Sequence, residues 1–249
     1  MFIGLIIIGD EILSGKRHDK HLGHVIPMLA ERGLSLSWCQ IIGDDPNRIT
    51  NTLKQAMQSG DLVFCCGGIG ATPDDYTRQC AANAAEVNLV QHPQALLEIE
   101  TRFGAEAYPN RVKMADLPDS CSIIPNPVNR VPGFSVGHVH FLPGFPEMAW
   151  PMAEWVLDKH YQHLEPAEHE VEKLFILPNA KEADLLEVME SLVNSHPKLK
   201  LSSLPSYGGG HIGAHIELGL KGVSAVVDAA SELLNQLLNA RGQAFHPKR

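Results

Sequence analysis

Acidic side chains and glycines occur together in residues 61–77, whose sequence is DLVFCCGGIGATPDDYT. The adjacent carboxylates Asp74 and Asp75 follow three glycines, Gly67, Gly68 and Gly70. Glycines permit sharp turns, and they let a ligand approach the backbone without meeting a Cβ atom. Two carboxylates beside a phosphate would repel it unless a divalent cation lay between them. The stretch therefore predicts metal-bridged phosphate chemistry, in which a hard cation takes oxygen ligands and leaves positions for substrate oxygens.

The same stretch predicts a strand, a loop and the start of a helix. Leu62–Cys66 is a short apolar run bounded by glycines, as is typical of a buried strand. Thr72 is predicted as the helix N-cap, with Pro73 at the first helical position and Asp75 closing a capping box. Backbone N–H groups and a positive dipole end would then lie at the carboxyl end of a strand, where phosphates bind. The residues alone leave open a purely structural role for both carboxylates, as a cap and as a first-turn acid.

Composition excludes several classes of protein. The 249 residues are 44% apolar and 20% charged, as in ordinary globular proteins, and the formal net charge is −9. That charge argues against a general nucleic-acid or membrane-surface binder, whose affinity rests on basic patches. The five cysteines show no CxxC spacing, and the neighbours Cys65 and Cys66 would point to opposite faces of a strand. We expect reduced thiols and a cytoplasmic location, since the apolar run at 2–8 is too short for a signal peptide or a membrane span.

Strands alternate with helices through the first part of the chain. Strands are predicted at 2–8, 36–42, 62–66 and 89–90, and helices at 19–32, 46–59 and 93–103. This alternation indicates an α/β fold, a doubly wound and mostly parallel sheet. Ligands bind at the carboxyl ends of the strands in such folds, and the acidic turns at 9–11 and 43–45 fall there together with the glycine loop. After a polar linker around 164–172, the order β-α-β-β-α predicts a second, small α+β domain.

Common catalytic signatures are absent. The sequence contains no complete dinucleotide fingerprint, no P-loop lysine motif and no G-x-S-x-G nucleophile elbow. His18, His21 and His24 recur at helical spacing, and the preferred interpretation is a solvated helix face rather than a metal site.

Five motifs occur in the order found in the CinA family (competence/damage-inducible protein A). They are GDEILSG at 9–15, GDD at 43–45, GGIGATPDDYT at 67–77, IPNP at 124–127 and LPGFPEM at 142–148. Residues 1–161 resemble the molybdopterin-binding-like domain of that family, which is related to MoaB and Mog. The resemblance implies a MoaB/Mog-like domain at 1–165 and a KH-like α+β domain at 166–249. The family's C-terminal amidase domain is expected to be missing.

The resemblance also implies a function and a set of site residues. Several relatives are metal-dependent pyrophosphatases acting on ADP-ribose or FAD, and the family binds an adenine dinucleotide or pterin phosphate. The acidic set would be Glu11, Asp44, Asp74 and Asp75, of which Glu11, Asp74 and Asp75 would hold a divalent metal (Mg, Mn or Co). The substrate-binding set would be Gly67, Gly68, Gly70, Thr72, Pro143 and Gly144. Lys16 or Lys20 would neutralise charge developing on the phosphates. A homo-oligomer is expected.

Two departures from the family pattern lie close to these motifs. Ala71 replaces the usual proline, and Lys20-His21 replaces the usual Thr-Asn, which brings a cation and an imidazole near the pocket. Transfer of an adenylyl group to molybdopterin, or cofactor binding without turnover, are the alternatives to hydrolysis. A nucleic-acid role is disfavoured, because a KH loop needs basic residues and the sequence Gly210-His211-Ile212-Gly213 has none.

Overall fold

The computed structural model describes residues 1–166, 168, 170–208 and 213–248. The chain forms two compact units, Met1–Pro166 and Ala167–Arg249. The strands of the first unit are β1 (Ile3–Ile8), β2 (Trp38–Ile42), β3 (Leu62–Cys66), β4 (Leu89–Gln91), β5 (Asp116–Pro118), β6 (Ser122–Ile124), β7 (Gly133–Val136) and β8 (Val139–Leu142). Its α-helices are α1 (Asp10–Leu13), α2 (His21–Glu31), α3 (Pro46–Ser59), α4 (Thr77–Ala85), α5 (Pro93–Phe103) and α6 (Pro146–Val156).

Six strands of the first unit form one mixed sheet, in the order β2-β1-β3-β8-β7-β6. The pairs among β2, β1, β3 and β8 are parallel, whereas β7 runs antiparallel to both β8 and β6. The predicted α/β fold with a mostly parallel sheet is confirmed. The predicted strand at 89–90 exists, but β4 pairs with β5 in a separate two-stranded sheet.

Both faces of the large sheet are covered by helices. Along β1, Ile6 and Ile8 pack into one apolar cluster with residues of α3, α4 and α5. Leu5 and Ile7 point to the opposite face, where they pack with residues of α2 and α6. Cys65 and Cys66 divide between the same two clusters, as the alternation of a strand requires. The carboxyl ends of the central strands are therefore held between two helical layers.

The second unit is small and contains an antiparallel sheet. Its elements are β9 (Glu170–Pro178), α7 (Leu186–Ser195), β10 (Lys200–Ser206), β11 (His215–Val223), α8 (Ser224–Ala240) and β12 (His246–Pro247). The sheet order is β10-β11-β9-β12, and α7 and α8 contribute to one apolar cluster with it. The predicted α+β order is confirmed, whereas the KH-like assignment stays a prediction. Of the KH-type loop sequence, positions 210–212 lie outside the described residues. No helix of the described ranges is both long and apolar enough to cross a membrane.

A buried histidine lies in the middle of β8. His140 is 3% exposed; its Nδ1 lies 2.8 Å from the Ser135 hydroxyl and its Nε2 lies 2.9 Å from the Tyr161 hydroxyl. Burial, together with smaller contributions from the neighbouring His160 and His138, lowers the pKa of His140 to about 3. The folded protein therefore holds this imidazole neutral.

The neutral state of His140 predicts a loss of stability in acid. The pKa in the folded state lies below the unfolded value of about 6.5. As the pH falls from about 6.5 towards 3, His140 therefore binds a proton in the unfolded chain but not in the folded chain. Between pH 7 and pH 4.5 we expect this group to lower the free energy of unfolding by about 2.5 kcal/mol.

Urea unfolding of the native protein and of His140→Gln at the two pH values measures this contribution. The glutamine keeps hydrogen-bonding capacity but does not titrate, so the variant should lose less stability on acidification than the native chain. An equal loss in both proteins would contradict the assignment to His140.

Candidate functional site

A cavity of about 650 Å³ lies at the carboxyl ends of β3 and β8, against the glycine loop. We call it the loop cavity. It brings together Glu11, Gly68, Gly70, Thr72, Asp74, Asp75, Pro143 and Gly144, which are eight of the twelve site residues named from the sequence. The described residues that line it do not include the other four, Lys16, Lys20, Asp44 and Gly67.

Gly67 and Gly68 of the loop are required by the packing of the chain itself, whether or not a ligand is bound. Gly67 has φ 112°, and a Cβ atom there would lie 2.3 Å from the carbonyl oxygen of Ile8 in β1. Gly68 has φ 67°, and its Cβ would lie 2.2 Å from Oγ1 of the fully buried Thr77. Larger residues would clash at both positions and would strain the backbone. The loop therefore lies tightly on β1 and on the start of α4, with its outer side, from Gly68 to Thr72, towards the cavity.

The predicted capping box at 72–75 is wrong as a helix start. The helix α4 begins at Thr77, and residues 72–75 form a turn in which the Asp75 amide donates to the Thr72 carbonyl oxygen at 3.0 Å. Only the acidic half of the box forms, since Asp75 Oδ2 accepts the Thr72 amide at 2.8 Å and also the Thr72 hydroxyl. Among the described residues, no following backbone amide donates to the Thr72 hydroxyl oxygen, so the capping half of the box does not form. The carboxylate of Asp75 thus sets the shape of the loop that edges the cavity.

Asp44 lies in the loop after β2, outside the residues that line the loop cavity. Its Oδ2 accepts the Asp10 amide at 2.8 Å, and Asp10 Oδ1 accepts the Asp44 amide at 3.3 Å. This reciprocal pair ties the start of α1 to the loop after β2. Burial raises the pKa of Asp44, and the negative charges of Asp10, Glu11 and Asp74 raise it further. The charges of the cavity acids Glu11 and Asp74 therefore affect the pKa of Asp44, although Asp44 is not among the residues that line the cavity.

The carboxylates on the cavity itself differ in environment. Asp74 is exposed, and the nearby Thr72 side chain and its own backbone amide lower the pKa of its carboxyl group, so it is ionised at neutral pH. Glu11 is half-buried and faces both the loop cavity and a smaller cavity beside it. Within the described ranges, no three His, Cys, Asp or Glu side chains form a group that could hold a metal ion.

Sequence reasoning missed a cation that shares the cavity wall with these acids. Arg17 lines both cavities, whereas its neighbour Lys16 is not among the described lining residues of either. Lys20 lines only the smaller cavity. The backbone amide of Arg17 donates to the Glu11 carbonyl oxygen at 3.0 Å, so the turn after α1 folds back over the acid. The charged residues at 16, 17 and 20 look alike in the sequence, and only this turn distinguishes them.

The smaller cavity, which we call the side cavity, has a volume of about 380 Å³ and shares Glu11, Arg17, Gly144 and Phe145 with the loop cavity. His21 lines it and is only 4% exposed, so the solvated interpretation is wrong for this histidine. Its Nε2 lies 3.2 Å from the Gly144 carbonyl oxygen, and burial lowers the pKa of the imidazole. His24 is also not simply solvated, because its ring stacks on Trp150 with 3.9 Å between the centroids.

Arg78 fixes the far end of the glycine loop. Its guanidinium donates to the Gly70 carbonyl oxygen at 2.9 Å, to the Asp116 carbonyl oxygen at 2.9 Å and to the Lys113 carbonyl oxygen. The loop is thereby tied to residues 113–116, which carry the cavity residue Met114. The sequence held no signal for this role, because the arginine simply follows the first residue of α4.

Comparison with known proteins agrees with this architecture. Residues 4–163 match the family described as "Probable molybdopterin binding domain". A CinA-like protein of Citrifermentans bemidjiense is 34% identical over an alignment of 196 positions, which covers 75% of this chain and 47% of that protein. The chain thus spans about half the length of this relative. A protein of Pyrobaculum arsenaticum is 27% identical over an alignment of 255 positions, which covers 96% of each chain.

A solved structure is also similar to this chain. It is the protein CinA, described as of unknown function, from Thermoplasma acidophilum, with 30% identity and a TM-score of 0.58. The match covers 64% of this chain and 98% of that one.

The packing of Gly67 leads to a stability prediction. Gly67→Ala places a Cβ against a backbone oxygen of β1 in a left-handed conformation, so we expect a loss of at least about 2 kcal/mol of unfolding free energy. Gly23→Ala is the matched control, because Gly23 lies within α2 and no other described part of the chain comes within 4 Å of its added Cβ. The control should be neutral or stabilised by up to about 1 kcal/mol. Thermal and urea unfolding measure both, and similar stability of the two variants would refute the packing account.

Proposed function

The chain belongs to the family of the probable molybdopterin binding domain, as one of its CinA-like members, and from this premise we propose that it hydrolyses a pyrophosphate bond. The proposed substrate is an adenine-nucleotide compound such as ADP-ribose or FAD. A divalent cation, Mg²⁺, Mn²⁺ or Co²⁺, is the proposed cofactor.

One observation carries this proposal. Three carboxylates (Glu11, Asp74 and Asp75), an arginine and a tight glycine loop line a single cavity at the carboxyl ends of parallel strands. Ligands bind at that edge in open α/β sheets. The cavity is also of the size expected for a small-molecule site, and Phe103, Met114 and Met148 give it apolar walls.

The carboxylates of the cavity suit a hard cation that is held jointly by the protein, by waters and by the phosphates of the substrate. Because no group of three protein ligands forms within the described ranges, a cation held by the chain alone is not supported. Magnesium is commonly bound by one or two carboxylates together with waters and substrate phosphates, and Glu11 with Asp74 or Asp75 would supply such ligands. When bound, the cation would polarise the phosphates and lower the pKa of an attacking water.

The remaining steps belong to the side chains. Arg17, beside Glu11 on the cavity wall, would bind the phosphate oxygens and neutralise the charge that develops on them. Asp74, ionised at neutral pH, would orient the water. The water oxygen forms a bond to one phosphorus, the bridging P–O bond breaks, and the water proton leaves with solvent or a carboxylate. ADP-ribose and water would thus give AMP and ribose 5-phosphate.

A second candidate is binding or adenylylation of molybdopterin. It is favoured by the description of the matched family, which names a molybdopterin-binding domain over residues 4–163. The two candidates place the phosphates of their ligands in the same cavity, so they differ in the ring that the ligand carries and in whether AMP is released or transferred.

A substrate screen separates the candidates. ADP-ribose, FAD, NAD and CoA are incubated with the protein and each of the three cations, and release of AMP or of adenosine 3′,5′-bisphosphate is followed by chromatography. Metal-dependent cleavage of any of them supports hydrolysis. Molybdopterin with ATP forms the second arm, in which formation of adenylylated molybdopterin without cleavage in the first arm would favour transfer.

Metal dependence provides a prediction on the carboxylates. Excess EDTA should abolish cleavage, and added cation should restore it. Asp74→Asn should lower kcat by about 100-fold or more, because a charged oxygen is lost from the site, while Tm should change little at this exposed position. Asp119→Asn is the control, since Asp119 is exposed and is not among the residues that line the loop cavity. Full cleavage in EDTA, or equal activity of both variants, would sink the metal mechanism.

Adjacent cations provide a second prediction. Arg17→Ala should lower kcat/KM by about 10- to 100-fold, because a guanidinium that contacts phosphate contributes about 1.5–3 kcal/mol. Lys16→Ala, one residue away and not on the described wall of either cavity, should stay within about twofold of the native chain. Initial rates at low substrate concentration measure both variants. Equal losses would show that net charge, rather than contact from Arg17, governs binding.

A further inference from the structure

The loop between β6 and β7, residues 125–132, forms part of the wall of the loop cavity. Because β7 runs antiparallel to both of its neighbours, this loop lies at the edge of the sheet where β8 ends. In the strand order, β8 separates it from β1 and β3, which the acids of the cavity follow. Asn126, Asn129 and Val131 line the cavity from this loop. Its two asparagines are polar groups that the mechanism proposed above does not use.

The side chain of Asn126 is fully used within the loop, and it is only 5% exposed. Its Oδ1 accepts the amides of Val128 at 3.0 Å and of Asn129 at 3.4 Å. Its Nδ2 donates to Asn129 Oδ1 at 2.8 Å and to the Val131 carbonyl oxygen at 3.0 Å. A primary amide has two donor hydrogens and two acceptor lone pairs, so Asn126 has none left for a ligand. Asn126 therefore shapes the loop and does not bind from it.

Asn129 differs, because one of its donor hydrogens has no partner in the described parts of the chain. Its Oδ1 accepts from Asn126 and, at 3.0 Å, from the Val131 amide, which fixes the side chain with its nitrogen on the other side. Nδ2 lies 3.2 Å from Met148 Sδ, a weak acceptor that takes one hydrogen. Met148 lines the loop cavity and Asn129 is half-buried on the same wall, so the second hydrogen is within reach of a ligand there.

The surroundings of this hydrogen favour an anionic oxygen as its acceptor. The neighbouring side chains Met114, Val131 and Met148 on the cavity wall are apolar and donate nothing. Arg130 is on the same loop, but its guanidinium lies 2.7 Å from a Glu98 oxygen, and it is not among the residues that line the loop cavity. A phosphate oxygen that leaves water beside apolar side chains needs a donor, and hydrogen bonds to charged oxygens are the strong ones.

We propose that Asn129 is a substrate-binding residue, which donates its free Nδ2 hydrogen to a non-bridging phosphate oxygen of the ligand. The inference rests on the proposed function, because that function places the phosphates in the loop cavity. The acids, together with a cation, would hold phosphate oxygens on one side of β8, and Asn129 would hold an oxygen on the other. Contacts from two sides fix the orientation of a tetrahedral phosphate, which is what an in-line attack requires.

A ring-free probe that cannot be cleaved tests this contact apart from hydrolysis. Methylenediphosphonate, which has a P–C–P bridge, is titrated with Mg²⁺ into the full ¹⁵N-labelled chain, and the side-chain NH₂ signals of the asparagines are followed by NMR. We expect one of the two Asn129 protons to shift on binding, while the Asn126 protons, which are already bonded, move less. The spectrum of Asn129→Asp, which lacks this NH₂ group, identifies the Asn129 signals. Binding that leaves both Asn129 protons unshifted would overturn the proposal, as would no saturable binding at millimolar probe.

Two substitutions measure what the contact contributes. Asn129→Ala should weaken the diphosphonate by about tenfold or more, because the lost hydrogen bond is to a charged group. Asn129→Asp keeps the oxygen that holds Asn126 and Val131 but replaces the donor by a charge, so it should weaken binding at least as much. It also decides the question if the alanine variant does not fold. Asn88→Asp, the same charge change at an exposed residue outside the cavity lining, should stay within about twofold of the native chain.

Unchanged affinity in both Asn129 variants would refute the assignment. A loss in Asn88→Asp equal to that in Asn129→Asp would refute it too, because net charge would then explain the effect. The probe contains no bond that the proposed reaction breaks, so the two proposals fail separately. Diphosphonate binding that depends on Asn129 would stand even if the substrate screen showed no cleavage, whereas cleavage with diphosphonate binding indifferent to Asn129 would remove this assignment alone.

Discussion

The whole site depends on the close approach of two backbone segments, the glycine loop at Gly67 and the end of β1 at Ile8. The amide of Gly67 donates to the Leu142 carbonyl oxygen of β8 at 3.0 Å, while its Cα side faces the Ile8 carbonyl oxygen of β1 so closely that a Cβ would lie 2.3 Å from it. Three parallel strands therefore end around one residue without a side chain. The chain can leave β3 only by the left-handed path through Gly67 and Gly68, which directs the following turn along the cavity. Thr77 and Arg78 then fix that turn through the carbonyl oxygens of Gly68 and Gly70.

Charge explains why the edge of this sheet is chemically distinctive. Burial, and then the charges of Asp10, Glu11 and Asp74, raise the pKa of Asp44, and the side chains of Asp10 and Asp44 join the start of α1 to the loop after β2. Glu11, Asp74 and Asp75 remain on the loop cavity, where Arg17 is the cation that shares the wall with them. In our account, a divalent cation brought with a phosphate ligand relieves the repulsion among these acids. The buried imidazole of His21 contacts the Gly144 carbonyl oxygen and lines the side cavity.

Sequence reasoning predicted the strands and helix starts that depend only on residues close together in the sequence. The apolar run at 62–66 and the Asp45-Pro46 helix start are confirmed, because β-forming residues and a capping carboxylate act over a few residues. The predicted helix start at 72–75 was wrong. The Thr72 hydroxyl donates to Asp75 there, and the helix begins at Thr77. Sequence reasoning could not rank Lys16, Arg17 and Lys20 against one another, since their positions depend on how the turn after α1 folds back. Arg78 and His21 act through carbonyl oxygens that are distant in sequence, and no local pattern records such contacts.

A direct test of the central claim is to locate the phosphates of a bound ligand. The α,β-methylene analogue of ADP-ribose cannot be cleaved at the bridging position, so it can be titrated with Mg²⁺ into ¹⁵N-labelled protein while amide shifts are followed by NMR. The account predicts that the largest shifts fall on the amides of Gly68, Gly70, Thr72 and Arg17, and that they weaken when Mg²⁺ is withdrawn. Shifts that cluster away from the loop cavity, or none at millimolar analogue, would contradict it.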